Sequence, residues 1–247
     1  MPRLKATLAY DGTHFSGYQV QPGKRTVQLV IESSLKQMHK GQEIRITASG
    51  RTDAGVHANG QVIHFDSPFN IPEVNWPRAL NALLPDDIYV KKVKKANGDF
   101  HARFDVTQKE YRFKLLNRSA PDLFRRLHTV HIPEPLDIGQ MQEAAKYMLG
   151  THDFTSFCAA NTSVIDKVRT ISLLEVLPAD EDEIHIRVIG NGFLYQMVRI
   201  IVGQLVTIGK GKAKPEIVKD IINAKDRQKA FPTAPPQGLY LWEVGYS

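Results

Sequence analysis

One acidic residue stands where chemistry is easy to picture. Asp53 lies in the run Gly50-Arg51-Thr52-Asp53-Ala54-Gly55-Val56-His57-Ala58, between two stretches that alternate like β-strands. The glycines on either side let the backbone turn tightly and let a ligand approach closely. Thr52 and the neighbouring amides can hold the Asp53 side chain in one orientation. A carboxylate so held can serve as a nucleophile or a base. The same residues also suit an Asx-type turn in which Asp53 caps its own loop.

A second group stands out because of its surroundings. From Phe193 to Ile208 the sequence reads as a helix, apolar nearly all round, with Arg199 as its only charged residue. A helix of that pattern is buried, and arginine is almost never fully buried unless it is paired, because stripping its water costs several kcal/mol. Arg199 is therefore expected to meet a carboxylate from elsewhere in the fold, and Asp53 suits the part. A purely structural ion pair, or a guanidinium that reaches the surface, fits the helix pattern as well.

The elements that must position these groups follow from periodicity. Leu4 to Tyr10 alternates as a strand and ends at the turn signal Asp11-Gly12. Thr26 can cap a helix carrying Val27, Val30, Ile31, Leu35 and Met38, with Gly41 as its stop. Ile44 to Ala48 and Gln61 to Phe65 read as strands, Val74 to Leu84 as a helix, and Ile88 to Val93 as a strand. A second series follows, with strands at Lys109–Leu116, Arg169–Val176, Ile184–Ile189 and Leu239–Tyr246. Its helices are Ile138–Leu149, Phe193–Ile208 and Pro215–Ala224. This predicts two α/β halves, 1–105 and 106–247, whose sheets meet along an edge and leave a cleft. The loops at 11–25 and 151–166 are long for their context.

Composition narrows the function. No window approaches the roughly 20 consecutive apolar residues of a membrane span. The N-terminus runs straight into a strand pattern without a signal-peptide hydrophobic segment, so the cytoplasm is the expected compartment. A single cysteine, Cys158, excludes an internal disulfide framework and a cysteine-rich zinc site, and it reads as a packed small side chain. Nine histidines show no ligand spacing that would hold a metal, and Gly209-Lys210-Gly211-Lys212 lacks P-loop spacing. The net charge of +6 has an informative distribution. Between Tyr89 and Arg118, six lysines and three arginines face three acidic residues, 9 − 3 = +6, and Phe100, Phe104, Tyr111 and Phe113 are interleaved. Basic groups suit phosphates and aromatic faces suit unpaired bases, a mixture that fits RNA. Two strands with charged outer faces would look the same.

Several motifs occur in an order that resembles one family. The Gly50–Ala58 run reproduces the signature loop of the bacterial tRNA pseudouridine synthase A family. Tyr10-Asp11-Gly12-Thr13 with Gly17-Tyr18-Gln19 is similar to its opening strand and loop, and Asn81-Ala82-Leu83-Leu84-Pro85 with Asp87-Ile88 to its helix-to-strand passage. Phe100-His101-Ala102-Arg103-Phe104, Lys109-Glu110-Tyr111-Arg112-Phe113 and His152-Asp153-Phe154-Thr155-Ser156-Phe157 follow in the family's order. Gly192 to Arg199 and Ala234 to Leu239 complete a likeness that spans nearly the whole chain. Tyr18 departs from the pattern, where tryptophan is more usual, but keeps an aromatic.

The resemblance implies the pseudouridine synthase fold, α/β or α+β, with joined, mixed and largely antiparallel sheets flanked by helices about a central cleft. It implies Asp53 as the catalytic nucleophile, Arg199 as its salt-bridge partner and Tyr111 as the ring that stacks on the target base. Arg51, His57 and Arg103 are implied as further substrate contacts. The implied reaction isomerises uridine to pseudouridine at tRNA positions 38, 39 and 40, in the cytoplasm, by a homodimer that needs no metal, nucleotide or other cofactor. Lys91, Lys92, Lys94, Arg103 and Arg112 would contact phosphates without reading sequence. Two other readings compete: a non-catalytic protein that binds structured RNA, and a metal-dependent nucleic-acid hydrolase. The first leaves no reason to bury Arg199 beside an aspartate, and the second needs a carboxylate cluster that the sequence does not show.

Overall fold

A computed structural model describes residues 1–160, 162, 164–180 and 182–247, so Asn161 and Ser163 of the long 151–166 loop lie outside the described residues. The fold is mixed α+β, and the chain clusters into two units, Met1–Thr107 with Tyr240–Ser247, and Gln108–Leu239. The closing strand, which the sequence pattern groups with the second half, thus lies with the first unit from Tyr240 onward.

In the first unit, β1 (Arg3–Tyr10) lies between β3 (His57–Asp66) and β4 (Ile88–Ala96), antiparallel to both. β2 (Thr47–Ala48) pairs with Ile63 and His64 toward the end of β3, and β10 (Leu239–Tyr246) runs parallel to its start, Tyr240 opposite His57. Strand alternation buries Leu4, Ala6, Leu8 and Tyr10 and leaves Arg3, Lys5 and Thr7 half-exposed. α1 (Val27–Met38) starts where Thr26 accepts the Leu29 N–H, as its cap position predicts. It ends as Lys40 and Gly41 take φ of 53° and 95° and the Gly41 N–H donates to the Lys36 carbonyl. Its buried Val27, Ile31 and Leu35 each contribute roughly 1.5–3 kcal/mol.

Two elements here are shorter than their pattern. Ile44 and Ile46 are buried, but the Ile46 N–H donates to the Glu32 carboxylate rather than to a strand, so only Thr47 and Ala48 join the sheet. The 74–84 helix is a 3-10 turn (Glu73–Asn75) leading into α2 (Trp76–Asn81), because Trp76 is anchored: fully buried, its indole N–H donates to the Ile71 carbonyl.

In the second unit, β5 (Val106–Asn117), β9 (Glu183–Gly190), β8 (Val168–Ala179) and β7 (Gly150–Asp153) form an antiparallel run in that order. β6 (Val130–Ile132) pairs parallel with the end of β5. α3 (Ile138–Lys146), capped by Asp137, packs on α4 (Met197–Gly209) and on β8, and α5 (Ile217–Ala224) follows. α4 begins four residues later than the apolar run suggests. Gln196 adopts the left-handed region, φ 59°, which breaks the helical path, and frees Phe193 to pack edge-on against Tyr111.

Candidate active site

The Asp53 loop is built from the end of β2 to the start of β3. Its tip is a four-residue turn closed by the Val56 N–H on the Asp53 carbonyl at 3.1 Å. Gly55, third in that turn, has a φ of 76°, the region that a type II turn requires there. Residues 12–18 clasp the loop from one side. The Tyr18 N–H donates to the Thr52 carbonyl at 3.0 Å, and Gly12 packs so closely on the Val56 carbonyl that no side chain fits between them. Gly17, φ 88°, lies against the Thr52 carbonyl.

Beneath the loop lies a chain of polar side chains that the motifs alone do not single out. The Tyr10 hydroxyl and the Thr52 hydroxyl are 2.8 Å apart, both buried. Gln61, fully buried, donates to the Gly50 carbonyl at 2.9 Å and reaches the Tyr10 hydroxyl at 3.5 Å. Its carbonyl oxygen accepts from the Ser49 hydroxyl at 2.7 Å. A signal for it does exist in the sequence: Gln61 runs directly into Val62 and Ile63 of a strand segment, and a polar side chain in such a place needs partners. Burial pushes the Tyr10 hydroxyl up to about 12, against its bonds to Thr52 and Gln61, so it stays protonated.

The other expected site residues divide between the units. Asp53 is half-buried and Arg51 exposed. His57 is 2% exposed, its ring stacked 4.7 Å from Tyr240. Its Nδ1 accepts the Gly12 N–H at 3.0 Å, and a carboxylate oxygen of Asp11 lies 3.1 Å from the same nitrogen. A side chain so enclosed supports the loop beside it and does not reach out of it. Arg103 is exposed on a loop where the Phe104 ring, itself largely exposed, stacks 4.2 Å from His101.

In the second unit, Tyr111 is 8% exposed, with Phe193 edge-on to its ring at 5.1 Å. On the opposite face of β5, Glu110 accepts from Arg112 at 2.7 Å and from Arg187 at 2.9 and 3.0 Å, which fixes β5 against β9 and so the placement of Tyr111. Burial pushes the Glu110 carboxyl up, and the two arginines outweigh it and hold it below its ordinary value. Arg199 is half-buried rather than enclosed. Its Nε donates to the Ala234 carbonyl at 2.8 Å, and the Ala234 N–H returns a bond to the Arg199 carbonyl at 3.0 Å.

The basic run between Tyr89 and Arg118 is likewise shared, β4 and the Arg103 loop in one unit and β5 in the other. On β4, Lys92 and Lys94 are exposed, while a bulge leaves Lys91 to donate to Asn59 at 2.6 Å. Lys94 sits opposite Lys5, whose ammonium lies 3.7 Å from the Tyr246 ring centre. Burial and then Lys94 lower the Lys5 pKa, as expected where like charges are crowded and an anion would be welcome.

The family model described as tRNA pseudouridine synthase matches residues 6–105 and 144–247, which include the whole Asp53 loop, Arg103 and Arg199. The chain belongs to the tRNA pseudouridine synthase family. Members of this family are isomerases that convert uridine to pseudouridine. The chain is 57% identical to tRNA pseudouridine synthase A of Bacillus pumilus over 245 residues, 99% of each chain. It is 53% identical to tRNA pseudouridine synthase A 1 of Bacillus cereus over 247 residues, all of both chains. With tRNA pseudouridine synthase A of Geobacillus kaustophilus the identity is 55% over 244 residues, 99% of this chain and 94% of the relative. A chain in a crystal structure of a Cbf5-Nop10-Gar1 complex is 11% identical with a TM-score of 0.36, covering 82% of this chain and 53% of that one, a likeness too faint to bear on the assignment. Among the described residues, no helix is long and apolar enough to cross a membrane.

Proposed function

We propose that this isomerase acts on uridines 38, 39 and 40 in the anticodon stem-loop of tRNA, with Asp53 as its nucleophile. The fixed presentation of Asp53 supports this reading: the loop is tied at Thr52 and Val56 while Asp53 itself stays half-exposed. Breaking the N1–C1′ bond builds positive character at C1′, which the carboxylate traps. The freed uracil turns, its C5 bonds to C1′ as the bond from C1′ to the Asp53 carboxylate breaks and frees the carboxylate, the C5 proton is lost to solvent, and N1 takes up a proton in its place. Substrate and product have the same composition, and nothing is oxidised or reduced. Tyr111 stacks on the uracil, and Arg199 pairs with Asp53 to keep it ionised. Arg51, His57 and Arg103 hold the displaced RNA, directly or through their loops. A paired uridine must first be flipped out at a cost of a few kcal/mol, offset by contacts in the pocket. Lys92 and Lys94 suit the phosphates that position the arm. The working form is a cytoplasmic homodimer.

Incubation with an unmodified tRNA transcript in chelator tests this. The protein is expected to form pseudouridine at positions 38–40, and Asp53→Asn to form none while still retaining the tRNA on a filter. Near-parental turnover by Asp53→Asn would remove the carboxylate from the mechanism. Strand breaks that disappear with chelator would indicate a hydrolase, and binding without conversion a passive RNA-binding protein.

A further inference from the structure

We infer that Tyr10 is a positioning residue for Asp53, acting through its buried hydroxyl bond to Thr52; this rests on the reading of Asp53 as the nucleophile. The Asp53 turn is short, and it has two anchors of different kinds. One is main-chain: Tyr18 N–H on the Thr52 carbonyl and Val56 N–H on the Asp53 carbonyl. These set the path of the backbone. The other is the side-chain chain Ser49–Gln61–Tyr10–Thr52, which runs under the loop and fastens the residue immediately before Asp53. Gln61 adds the Gly50 carbonyl, so both the entry to the loop and the residue beside Asp53 are referred to the same two strands, β1 and β3.

The chemistry of the network suits a positioning task. Its members are buried and neutral, and the Tyr10 hydroxyl remains a neutral donor and acceptor throughout the physiological range. It therefore adds rigidity without adding a charge that would compete for Asp53. The Thr52 side chain has one hydroxyl, and Tyr10 is the group that meets it. Losing that bond frees the Thr52 rotamer while the Tyr18 N–H still holds the Thr52 backbone, so the loop stays in place and loses sharpness. A loosened catalytic group costs turnover more than it costs substrate binding.

The test is a set of single-atom changes read by kcat, KM, tRNA affinity and melting temperature together. Tyr10→Phe and Thr52→Val each remove one half of the bond at nearly constant shape. Each is expected to lower kcat on the order of ten- to a hundredfold, with KM and tRNA affinity held within about twofold. Thr52→Ser keeps the hydroxyl and should restore most of kcat. The Tyr10→Phe/Thr52→Val double variant should be no slower than the worse single, because both cut the same bond. Parental kcat in a folded Tyr10→Phe, a loss confined to melting temperature or to tRNA affinity, or fully additive effects in the double variant would each overturn the inference. Asp53→Asn in the same assay separates the two levels. If it is inactive while Tyr10→Phe is fully active, only the positioning role falls; if it turns over, the nucleophile assignment falls first.

Discussion

Gly12→Ala puts one methyl group where the structure has no room for it. A Cβ at position 12 would drive into the Val56 carbonyl group and stand 3.0 Å from the Val56 nitrogen. Gly12 is not in the left-handed region, so the conflict is steric and not conformational. Val56 closes the turn by donating its N–H to the Asp53 carbonyl, so any retreat of Val56 drags Asp53 with it. The carbonyl has to move by on the order of 1 Å, and a displacement of that size at a reacting group costs on the order of a hundredfold in rate. Overpacking of this kind also destabilises by roughly 1–3 kcal/mol. For a chain of this length each kcal/mol lowers Tm by roughly 2–4 °C, so a fall of roughly 2–12 °C is expected.

Pseudouridine formation under single-turnover conditions, with a thermal melt on the same preparation, measures both effects. Gly98→Ala is the matched control, since a Cβ there meets nothing within 4 Å and should leave rate and melt unchanged. A Gly12→Ala protein that melts with the parent and turns over within about twofold of it would show that the loop absorbs the added methyl without moving Asp53. The coupling of Asp53 to Val56 through the hydrogen bond that closes the turn would then fail as the link between Gly12 and the rate.

Two further outcomes follow from the tyrosines beside the loop. Among the described residues, the Tyr18 hydroxyl is the one fully buried side-chain polar atom without a hydrogen-bond partner. An unmet group of that kind costs about 1–3 kcal/mol, so Tyr18→Phe should raise Tm by a few degrees, and a lower Tm on calorimetry would refute this. The second concerns alkaline pH. Burial raises Tyr10 from 10 to about 12 in the folded protein, so the unfolded chain releases this proton first. Stability from Tyr10 is therefore complete below about pH 10 and is lost as pH rises toward about 12, amounting to about 3 kcal/mol across that window. Urea unfolding over the same range should be shallower in pH for Tyr10→Phe than for the parent by about 1.4 kcal/mol per pH unit, and equal slopes would contradict the burial argument.

What can be read from the sequence is what short-range patterns encode. The alternation of Leu4 to Tyr10 and the Thr26 and Asp137 caps appear where their chemistry puts them. The glycine-flanked Asp53 loop is legible because it combines turn residues with a lone carboxylate. Features decided by distant partners are not. Ile44 and Ile46 look like strand residues, but the Glu32 side chain takes the backbone N–H that a strand would need. Gln196 gives no local warning of its left-handed turn, which delays α4. The apolar pattern of α4 leaves open whether Arg199 is enclosed or reaches the surface; the residue is half-buried, and its Nε donates to the Ala234 carbonyl from a segment 35 residues further on. The Tyr10–Thr52 contact joins residues 42 apart in the chain, a separation no periodicity can report.

The return of β10 to the first unit has a consequence for synthesis. Residues 108 to 239 are made between the two parts of that unit, so a ribosome has produced the whole second unit before Tyr240 can stack on His57 or Tyr246 can cover Lys5. Until then the outer side of β3 beyond β1 has no strand beside its start from within its own unit, and an unpaired strand edge invites other chains. Closing a connection of that length is slow compared with forming the local hairpins, so the unit that starts first is completed last.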